Sequence, residues 1–266
     1  MNYQSFIQSV LEDASIIADA KFGNVSGFIK EHDPNQVLTE ADLAIGKLIV
    51  EKIKRDYPEY NVIDEEAGVI DNGSQFTWVV DPIDGTSNFA SGVPTYGIML
   101  GLLDGNTPIA GGIALPYFKE ITIAEKGQGA FCNGKKISVS REINLRDSLI
   151  AYGIDGHHED PIGTKKEVEI VGNLVLAIRN LRSSNSAFDI IMVAKGGYGG
   201  ALNKNSKIWD NIAPQIIVEE AGGLYTDYYG KLLDYSNPLK RTQEYFTYCT
   251  ASPELHKQLQ DIIHGA

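Results

Sequence analysis

Apolar side chains recur at helical spacing near the start of the chain, and they predict two amphipathic helices. The first runs from about Tyr3 to Phe28, with apolar residues three and four positions apart. Residues 31–35 are polar and indicate a break. The second helix begins after Thr39, because Thr39 and Asp42 have the spacing of a capping box. Taken alone, Asp42 is therefore interpreted as part of a helix cap.

Apolar runs of strand length, separated by turn residues, follow the two helices. Residues 60–63 and 76–80 predict two strands with a loop over residues 68–75 between them. Further short strands follow, and the hairpin signal Asn133-Gly134 precedes a predicted strand over residues 137–139. Because adjacent strands are joined by short turns, we expect an antiparallel sheet that the two helices cover on one face.

The pattern changes after residue 140, where predicted strands alternate with predicted helices. This alternation is typical of α/β structure. The predicted strands cover residues 148–152, 177–181 and 224–225, and the predicted helices cover about 164–174, 187–195, 211–222 and 253–264. We therefore expect an α+β protein with a single domain over residues 1–266, divided into subdomains 1–145 and 146–266.

Composition narrows the class of protein. The chain has 266 residues, of which 43% are hydrophobic and 22% charged, as in ordinary soluble globular proteins. Its net charge is −12 and no basic stripe is visible, which argues against nucleic acid as the main partner. Cys132 and Cys249 predict neither a disulfide framework nor a zinc cluster. No signal peptide or membrane-spanning apolar run is visible, so the expected location is the cytoplasm.

The candidate chemistry lies at the end of the central predicted strand, which Pro82 is expected to terminate. Asp81 and Asp84 would repel each other unless a cation lay between them, and carboxylate oxygens suit Mg²⁺ or Mn²⁺. The following residues 85–87, Gly-Thr-Ser, offer backbone N–H groups and hydroxyls of the kind that cradle phosphate. The simpler alternatives are that Asp-Pro and Asp-Gly form turns and that the acidic residues 64–66 form a solvated edge.

Two longer stretches carry a resemblance to a known family. Residues 78–89, WVVDPIDGTSNF, resemble without a gap the first signature of the inositol monophosphatase family, W-x-x-D-P-[LIVM]-D-G-T-x-N-F. Residues 209–223 resemble its second signature, which begins with Trp-Asp and ends with Ala-Gly-Gly, although Ile212 replaces a small residue. The resemblance implies a layered α/β/α/β/α sandwich, commonly a homodimer, that hydrolyses small phosphate monoesters with water activated by two or three Mg²⁺ or Mn²⁺ ions.

The same resemblance implies a role for individual positions. The implied metal ligands are Glu65, Asp81, the carbonyl of Ile83, Asp84 and Asp210. The implied catalytic groups, which orient and deprotonate water, are Glu65, Thr86 and Asp42. The implied contacts to phosphate and substrate are Asp84, Gly85, Thr86, Ser87, Asn185, Ser186, Asn203 and Asp210.

Departures from the family pattern leave the substrate open. Asn203 stands where members often have a glutamate, residues 184–187 replace a Gly-Thr-Ala-Ala segment, and Lys207 adds a cation near the expected site. Inositol monophosphate is the first expectation. The alternatives are fructose 1,6-bisphosphate, histidinol phosphate, 3′-phosphoadenosine phosphates and NADP. A metal-dependent binding protein that has kept the fold without the activity is the non-enzyme alternative.

Overall fold

The computed structural model describes residues 3–23, 28–30, 33–156 and 159–265, with the backbone alone for 28–30 and 33–37. Two helices, α1 (Tyr3–Lys21) and α2 (Glu40–Asp56), flank an antiparallel hairpin of β1 (Phe28–Lys30) and β2 (Asp33–Leu38).

The predicted first helix is therefore too long. It ends at Lys21 because Gly23 takes a left-handed backbone conformation, with φ at 72°, that terminates helices. Residues 24–27 lie outside the described part of the chain, as do residues 31 and 32. The predicted polar break does separate the two helices, and residues 33–35 of it belong to strand β2, in which Asp33 pairs with Lys30 of β1.

An eight-stranded sheet follows α2, in the order β10-β9-β8-β7-β6-β5-β3-β4. All neighbours are antiparallel except β3 and β5, which are parallel. The short helix α3 (Thr86–Ala90) follows β5 directly. The strands are β3 (Asn61–Asp64), β4 (Gly68–Ile70), β5 (Phe76–Asp84), β6 (Gly97–Asp104), β7 (Thr107–Leu115), β8 (Glu120–Glu125), β9 (Gly129–Cys132) and β10 (Lys135–Lys136).

Three predictions for this sheet are wrong in detail. The predicted loop 68–75 contains β4, which pairs with β3. The central strand β5 continues through Pro82 to Asp84, with an irregular register between Asp81 and Asp84. The Asn133-Gly134 turn is confirmed, with both φ values positive, but residues 137–139 do not form the predicted strand. The N–H of Ile137 still bonds the carbonyl of Ala130 in β9, but the chain then turns away, and the N–H of Val139 bonds the carbonyl of Ala221.

A second, mixed sheet has the order β12-β11-β13-β15-β14. Strand β11 is parallel to β12 and β13, whereas β15 is antiparallel to β13 and β14. Strand β15 was not among the predicted elements. The strands are β11 (Leu149–Gly153), β12 (Asn180–Arg182), β13 (Gly200–Ser206), β14 (Leu224–Thr226) and β15 (Phe246–Ala251), and the helices are α4 (Pro161–Ala177), α5 (Ala187–Ala194), α6 (Ile212–Glu220) and α7 (Pro253–His264).

The elements stack in five layers, which confirms the predicted α+β sandwich. Helices α1 and α2 cover the outer face of the first sheet, α5 and α6 lie between the two sheets, and α4 and α7 cover the second sheet. Two adjacent glycines of β7 face opposite layers, Gly111 towards α6 and Gly112 towards α1. None of the described helices has the length and apolar content needed to cross a bilayer. The division into subdomains 1–145 and 146–266 stays a prediction.

Candidate active site

Three carboxylates meet where β5 ends and α6 approaches. Asp81, Asp84 and Asp210 each place a carboxylate oxygen within 4.8 Å of the other two. Asp84 accepts a hydrogen bond from the backbone N–H of Ala187, and Asp210 accepts one of 2.6 Å from that of Lys207. Asp81 is only 2% exposed, and its Oδ1 accepts no hydrogen bond from the residues that the structure describes.

Burial and mutual repulsion make this cluster costly without a counter-charge. Burial raises the pKa of Asp81 well above its ordinary value, and the carboxylates of Glu65, Asp84 and Asp210 raise it further. Burial likewise raises the pKa of Asp84, with Asp210 the main charged neighbour. A set of carboxylate oxygens with one buried oxygen left unbonded fits a hard divalent cation. Asp81, Asp84 and Asp210 can therefore hold a metal ion.

Glu65 and Ile83 lie beside these carboxylates. Glu65 follows β3, and its N–H donates to the carbonyl of Val80 at 3.2 Å, which fixes it next to β5. The carboxylate of Asp64 accepts hydrogen bonds from Glu66 N and Ala67 N, at 2.9 and 2.6 Å, and so shapes the turn that carries Glu65. The acidic residues 64–66 are thus not a uniformly solvated edge, since Asp64 is buried.

Asp42 serves both as a helix cap and as the partner of Thr86. Its Oδ2 accepts the Thr39 N–H at 2.8 Å, which completes the predicted capping box of α2. Its Oδ1 accepts the hydroxyl of Thr86 at 3.1 Å, and the same hydroxyl lies 2.8 Å from the carbonyl of Ile83. Burial raises the pKa of Asp42, although the hydrogen bonds from Thr39 and Thr86 oppose the rise.

The turn at Gly85 brings the central motif against the second sheet. Gly85 has a φ of 80°, and a Cβ there would lie 2.9 Å from the Cβ of Ser186 and 3.2 Å from the carbonyl of Thr95. The side chain of Asn88 reinforces this contact, because its Nδ2 donates to the carbonyls of Thr95 and Ser184, both at 2.8 Å. Glycine is therefore the residue that fits this turn.

The residues of the predicted site line one cavity of about 240 Å³, with a single exception. Asp42 lies behind Thr86 and does not line the cavity. Lys207 reaches the rim, where its Nζ donates to the carbonyl of Gln243 at 3.0 Å and lies 3.6 Å from the centroid of the Tyr245 ring. The predicted residues brought together are Glu65, Asp81, Ile83, Asp84, Gly85, Thr86, Ser87, Asn185, Ser186, Asn203 and Asp210.

Sequence reasoning missed several residues of this site. Asn88 belongs to the first signature, so its position was an available signal. Asp155 lines the cavity from a loop that follows β11, and Tyr245 lines it from a segment between β14 and β15. Asp189 is buried beneath the cavity and accepts the N–H groups of Ser184 and Asn185, both at 3.1 Å. The last three residues lie in stretches without a recognisable motif.

Comparison with known proteins identifies the family. The model of the inositol monophosphatase family matches residues 4–264. The chain belongs to the inositol monophosphatase family. It is therefore a phosphoric monoester hydrolase, as the two signatures predicted.

Individual relatives of this inositol monophosphatase family member span most of its length. It is 32% identical over 203 residues to a fructose-1,6-bisphosphatase/inositol-1-monophosphatase of Aquifex aeolicus, covering 74% of this chain and 75% of the relative. It is 34% identical over 211 residues to inositol monophosphatase 1 of Solanum lycopersicum, covering 74% of each. The structure of the extragenic suppressor protein suhB from Bartonella henselae superposes with a TM-score of 0.87 at 26% identity, covering 99% of this chain and 98% of the other.

Proposed function

We propose that this protein hydrolyses a small phosphate monoester with the help of Mg²⁺, and that inositol monophosphate is the first substrate to test. The observation that carries the proposal is that a carboxylate cluster and a turn suited to phosphate line the same cavity. The carboxylates of Asp81, Asp84 and Asp210 lie within 4.8 Å of one another, and the turn of residues 85–87 lines the same cavity. The first can hold cations, and the second offers N–H groups and hydroxyls to a phosphate.

The proposed metal ligands are Glu65, Asp81, the Ile83 carbonyl, Asp84 and Asp210. Divalent cations bound there would stabilise negative charge on the attacking and leaving oxygens of an in-line displacement. The phosphate would lie on the backbone of residues 85–87, and the leaving group would lie against Asn185, Ser186 and Asn203. Mn²⁺ is the alternative cation, because it accepts the same oxygen ligands.

Thr86 and Asp42 would manage the proton of the attacking water. The hydroxyl of Thr86 has one hydrogen and two acceptors, Asp42 Oδ1 and the carbonyl of Ile83. When the carbonyl is engaged elsewhere, that hydrogen is directed to Asp42, and the lone pairs of Thr86 accept the hydrogen of a water molecule. The proton then passes through the Thr86 hydroxyl to Asp42. Glu65 would orient the same water from the opposite wall.

The test is release of inorganic phosphate, with and without Mg²⁺, from inositol 1-phosphate and the alternative substrates of the sequence analysis. Release that depends on Mg²⁺, and a loss of at least about 100-fold in Asp84→Asn, would support the proposal. Asp261→Asn is the matched control, since Asp261 is 68% exposed on α7 and far from the cavity lining. Parental rates in Asp84→Asn would contradict the metal mechanism. Absence of release with every substrate and cation would favour a binding protein.

A second readout does not need a substrate. Mg²⁺ that binds only the folded protein raises the free energy of unfolding by about 2.7 kcal/mol at a hundredfold excess over its Kd. We expect this rise in the parent and in Asp261→Asn, measured by thermal unfolding with and without Mg²⁺. Asp84→Asn should lose most of it. An equal rise in all three proteins would place the cation elsewhere.

Fructose 1,6-bisphosphate is the second candidate substrate. The relative from Aquifex aeolicus carries both activities in its name, and Lys207 supplies a cation at the rim of the cavity. We further propose a cytoplasmic homodimer with subdomains 1–145 and 146–266 and without a nucleic acid or membrane partner. The net charge of −12 supports the absence of a nucleic acid partner.

A further inference from the structure

A chain of hydrogen bonds runs along the wall of the cavity that holds the carboxylate cluster. Asn185 Nδ2 donates to Asp155 Oδ1 at 3.0 Å, and Asn203 Nδ2 donates to Asn185 Oδ1 at 3.1 Å. The backbone N–H of Asn205 then donates to Asn203 Oδ1 at 2.5 Å. All four residues line the cavity. We call this chain, Asp155–Asn185–Asn203–Asn205, the amide relay.

The direction of the amide relay is fixed at both ends. The carboxylate of Asp155 can only accept a hydrogen bond, so Asn185 must turn its NH₂ group towards it. The oxygen of Asn185 then faces Asn203, which must donate a hydrogen bond from its own NH₂ group. At the other end the backbone N–H of Asn205 can only donate, which also requires the oxygen of Asn203 to face it. Both ends therefore impose the same orientation on the two amides.

The backbone around the amide relay is built to hold these side chains. Asn185 has a left-handed backbone conformation with φ at 51°, and its N–H donates to the buried carboxylate of Asp189 at 3.1 Å. Gly153 pairs with Asn203 across β11 and β13. A Cβ at Gly153 would collide with both the oxygen of Asn185 and the nitrogen of Asn203. The hydrogen bond between the two amides thus occupies the space that a side chain at residue 153 would need.

We propose that Asp155 is a positioning residue that orients the amides of Asn185 and Asn203 and thereby sets the specificity of the cavity for the leaving group. Both amide oxygens accept hydrogen bonds within the relay. Asn185 Nδ2 carries a second hydrogen, and the amide of Asn203 also bonds the hydroxyl of Tyr248, which lines the same cavity and has a hydrogen of its own to donate. The wall therefore offers hydrogen-bond donors. It suits a leaving group with oxygen lone pairs, such as the hydroxyls of a sugar or polyol, better than an apolar aryl group. The inference about specificity rests on the proposed phosphatase function. The inference about the direction of the hydrogen bonds does not.

The orientation can be tested by a double-mutant cycle of Asp155→Asn and Asn203→Asp. A carboxylate at residue 203 faces the oxygen of Asn185, and Asn185 cannot turn its single NH₂ group to two carboxylates at once. Asn203→Asp alone should therefore raise KM for inositol 1-phosphate about tenfold and lower the melting temperature. When Asp155→Asn is added, the amides at residues 155 and 185 can both rotate by about 180°, so that Asn185 donates to the carboxylate at residue 203. The double variant should regain the parental melting temperature, because every hydrogen bond between the side chains of the relay is restored in the reverse direction. Its KM for inositol 1-phosphate should stay raised, because the carboxylate at residue 203 has no hydrogen to donate to the leaving group.

Phenyl phosphate separates the orientation of the amides from a general loss of activity. It has no leaving-group hydroxyl, so Asn203→Asp should raise its KM several-fold less than that for inositol 1-phosphate, with kcat changed alike for both.

Asp155→Ala separates orientation from relief of charge repulsion. Relief of repulsion alone would follow from Asp155→Ala in the Asn203→Asp background as well, whereas rescue by orientation needs the amide that Asp155→Asn supplies. Asn72→Asp is the matched control, because Asn72 Nδ2 donates to the carbonyls of Pro58 and Tyr60 away from the cavity. Asp155→Asn should not rescue it.

Recovery of the parental melting temperature in the double variant, with KM for inositol 1-phosphate still raised, would support the amide relay. Additive effects of the two substitutions on melting temperature, rescue of Asn72→Asp, or equal recovery with Asp155→Ala would overturn it. If the parent hydrolyses neither phosphate ester, inositol monophosphate fails as the substrate, and the melting temperatures still decide whether the relay has a fixed direction.

Discussion

At the scale of single residues, Asp42 shows how one carboxylate can serve the fold and the site together. It is 1% exposed, and it receives hydrogen bonds from Thr39 on one oxygen and from Thr86 on the other. The first contact begins α2, and the second lies one residue beyond the turn at Gly85. A substitution at Thr39 or Asp42 would mix effects on stability and on activity. Thr86 is the position that separates them.

We expect Thr86→Val to lower kcat at least about 100-fold with a small change in melting temperature. The valine keeps the shape of the side chain but removes the hydroxyl that joins Asp42 to the cavity, and proton transfer through a positioned group contributes about 10²–10⁴-fold. Thr86→Ser keeps the hydroxyl and should retain most of the activity. Steady-state kinetics of the two variants would check this. A parental kcat in Thr86→Val would remove Thr86 from the proton path.

His256 should make stability depend on pH. The ring is 6% exposed, its Nε2 lies 2.8 Å from Thr226 Oγ1, and burial lowers its pKa below the ordinary value of 6.5. The unfolded chain therefore binds a proton that the folded protein does not. This contribution to stability is present above pH 6.5 and is lost as the pH falls from there towards the folded pKa, with a slope of at most about 1.4 kcal/mol per pH unit.

Urea unfolding at several pH values would measure this slope. His256→Gln should flatten it relative to the parent between neutral pH and pH 5. His264→Gln on the same helix is the control, because His264 is exposed, and it should leave the parental slope. Identical slopes in all three proteins would mean that His256 does not contribute.

At the scale of elements, the small residues of β7 decide how closely helices approach the first sheet. A Cβ at Gly111 would lie 2.8 Å from the Cα of Ala213 and 2.8 Å from Cγ2 of Ile216 on α6. A Cβ at Gly112 would instead meet Ile7 and Leu11 of α1. On the neighbouring strand, Gly101 makes room for Ile212, the residue that departs from the second signature. These glycines pack the layers rather than form turns.

Gly111→Ala and Gly112→Ala form a matched pair on adjacent residues. Each adds one methyl group to a close contact, and we expect each to lower the free energy of unfolding by about 1–3 kcal/mol. Only Gly111→Ala pushes on α6, which begins two residues after Asp210, so it alone should weaken the stabilisation by Mg²⁺. Thermal unfolding with and without Mg²⁺ would check both. If Mg²⁺ stabilised the two variants equally, α6 would not be what positions Asp210.

The sequence predicts elements well where a local pattern and the final contacts agree. The strand that leads to Asp81, the capping box of α2 and the Asn133-Gly134 turn are all encoded within a few residues. Strand β15 is different, because its partners β13 and β14 are supplied by distant parts of the chain. Residues 137–139 have a strand-like composition, yet Val139 bonds the carbonyl of Ala221 after α6 instead of continuing along the sheet. Long-range pairing thus overrides local preference.

The residues of the site also divide into those that a local motif predicts and those that only long-range contacts bring together. Asp81, Asp84 and residues 85–87 belong to one continuous motif, and the family resemblance adds Glu65 and Asp210. Asp155 could not be found in this way, because it lies in a loop of glycine and polar residues. It acquires a role only through its contact with Asn185, which follows β12, and the pairing of β11 with β12 brings the two loops together. Contacts of this kind need three-dimensional structure.

At the scale of the whole molecule, polar contacts join the middle helices α5 and α6 to the first sheet. Lys195 at the end of α5 pairs with Glu120 of β8 at 2.6 Å. The carboxylate of Glu220 on α6 accepts the N–H groups of Gly127 and Gly129, each at 2.7 Å, from the turn between β8 and β9. These contacts link parts of the chain that the sequence assigned to different subdomains.

Glu220→Ala should lower the free energy of unfolding by about 1.5–3 kcal/mol, because two charge-assisted hydrogen bonds are lost. For a chain of this size the melting temperature should fall by about 3–10 °C. Glu51→Ala is the control. Glu51 is 64% exposed, lies 3.9 Å from Lys47 and should contribute little. Calorimetry would measure both, and equal melting temperatures would show that the contacts of Glu220 are not needed.

The acidic cluster has a consequence for the order in which the molecule assembles. Asp81 and Asp84 lie in the first sheet, whereas Asp210 arrives only when α6 settles between the sheets. Joining the layers therefore brings like charges together, and we expect their repulsion to raise the barrier to that step. A divalent cation would act as the counter-ion for docking. We expect refolding from urea to be faster with Mg²⁺ than with a chelator, and Asp210→Asn to reduce this difference.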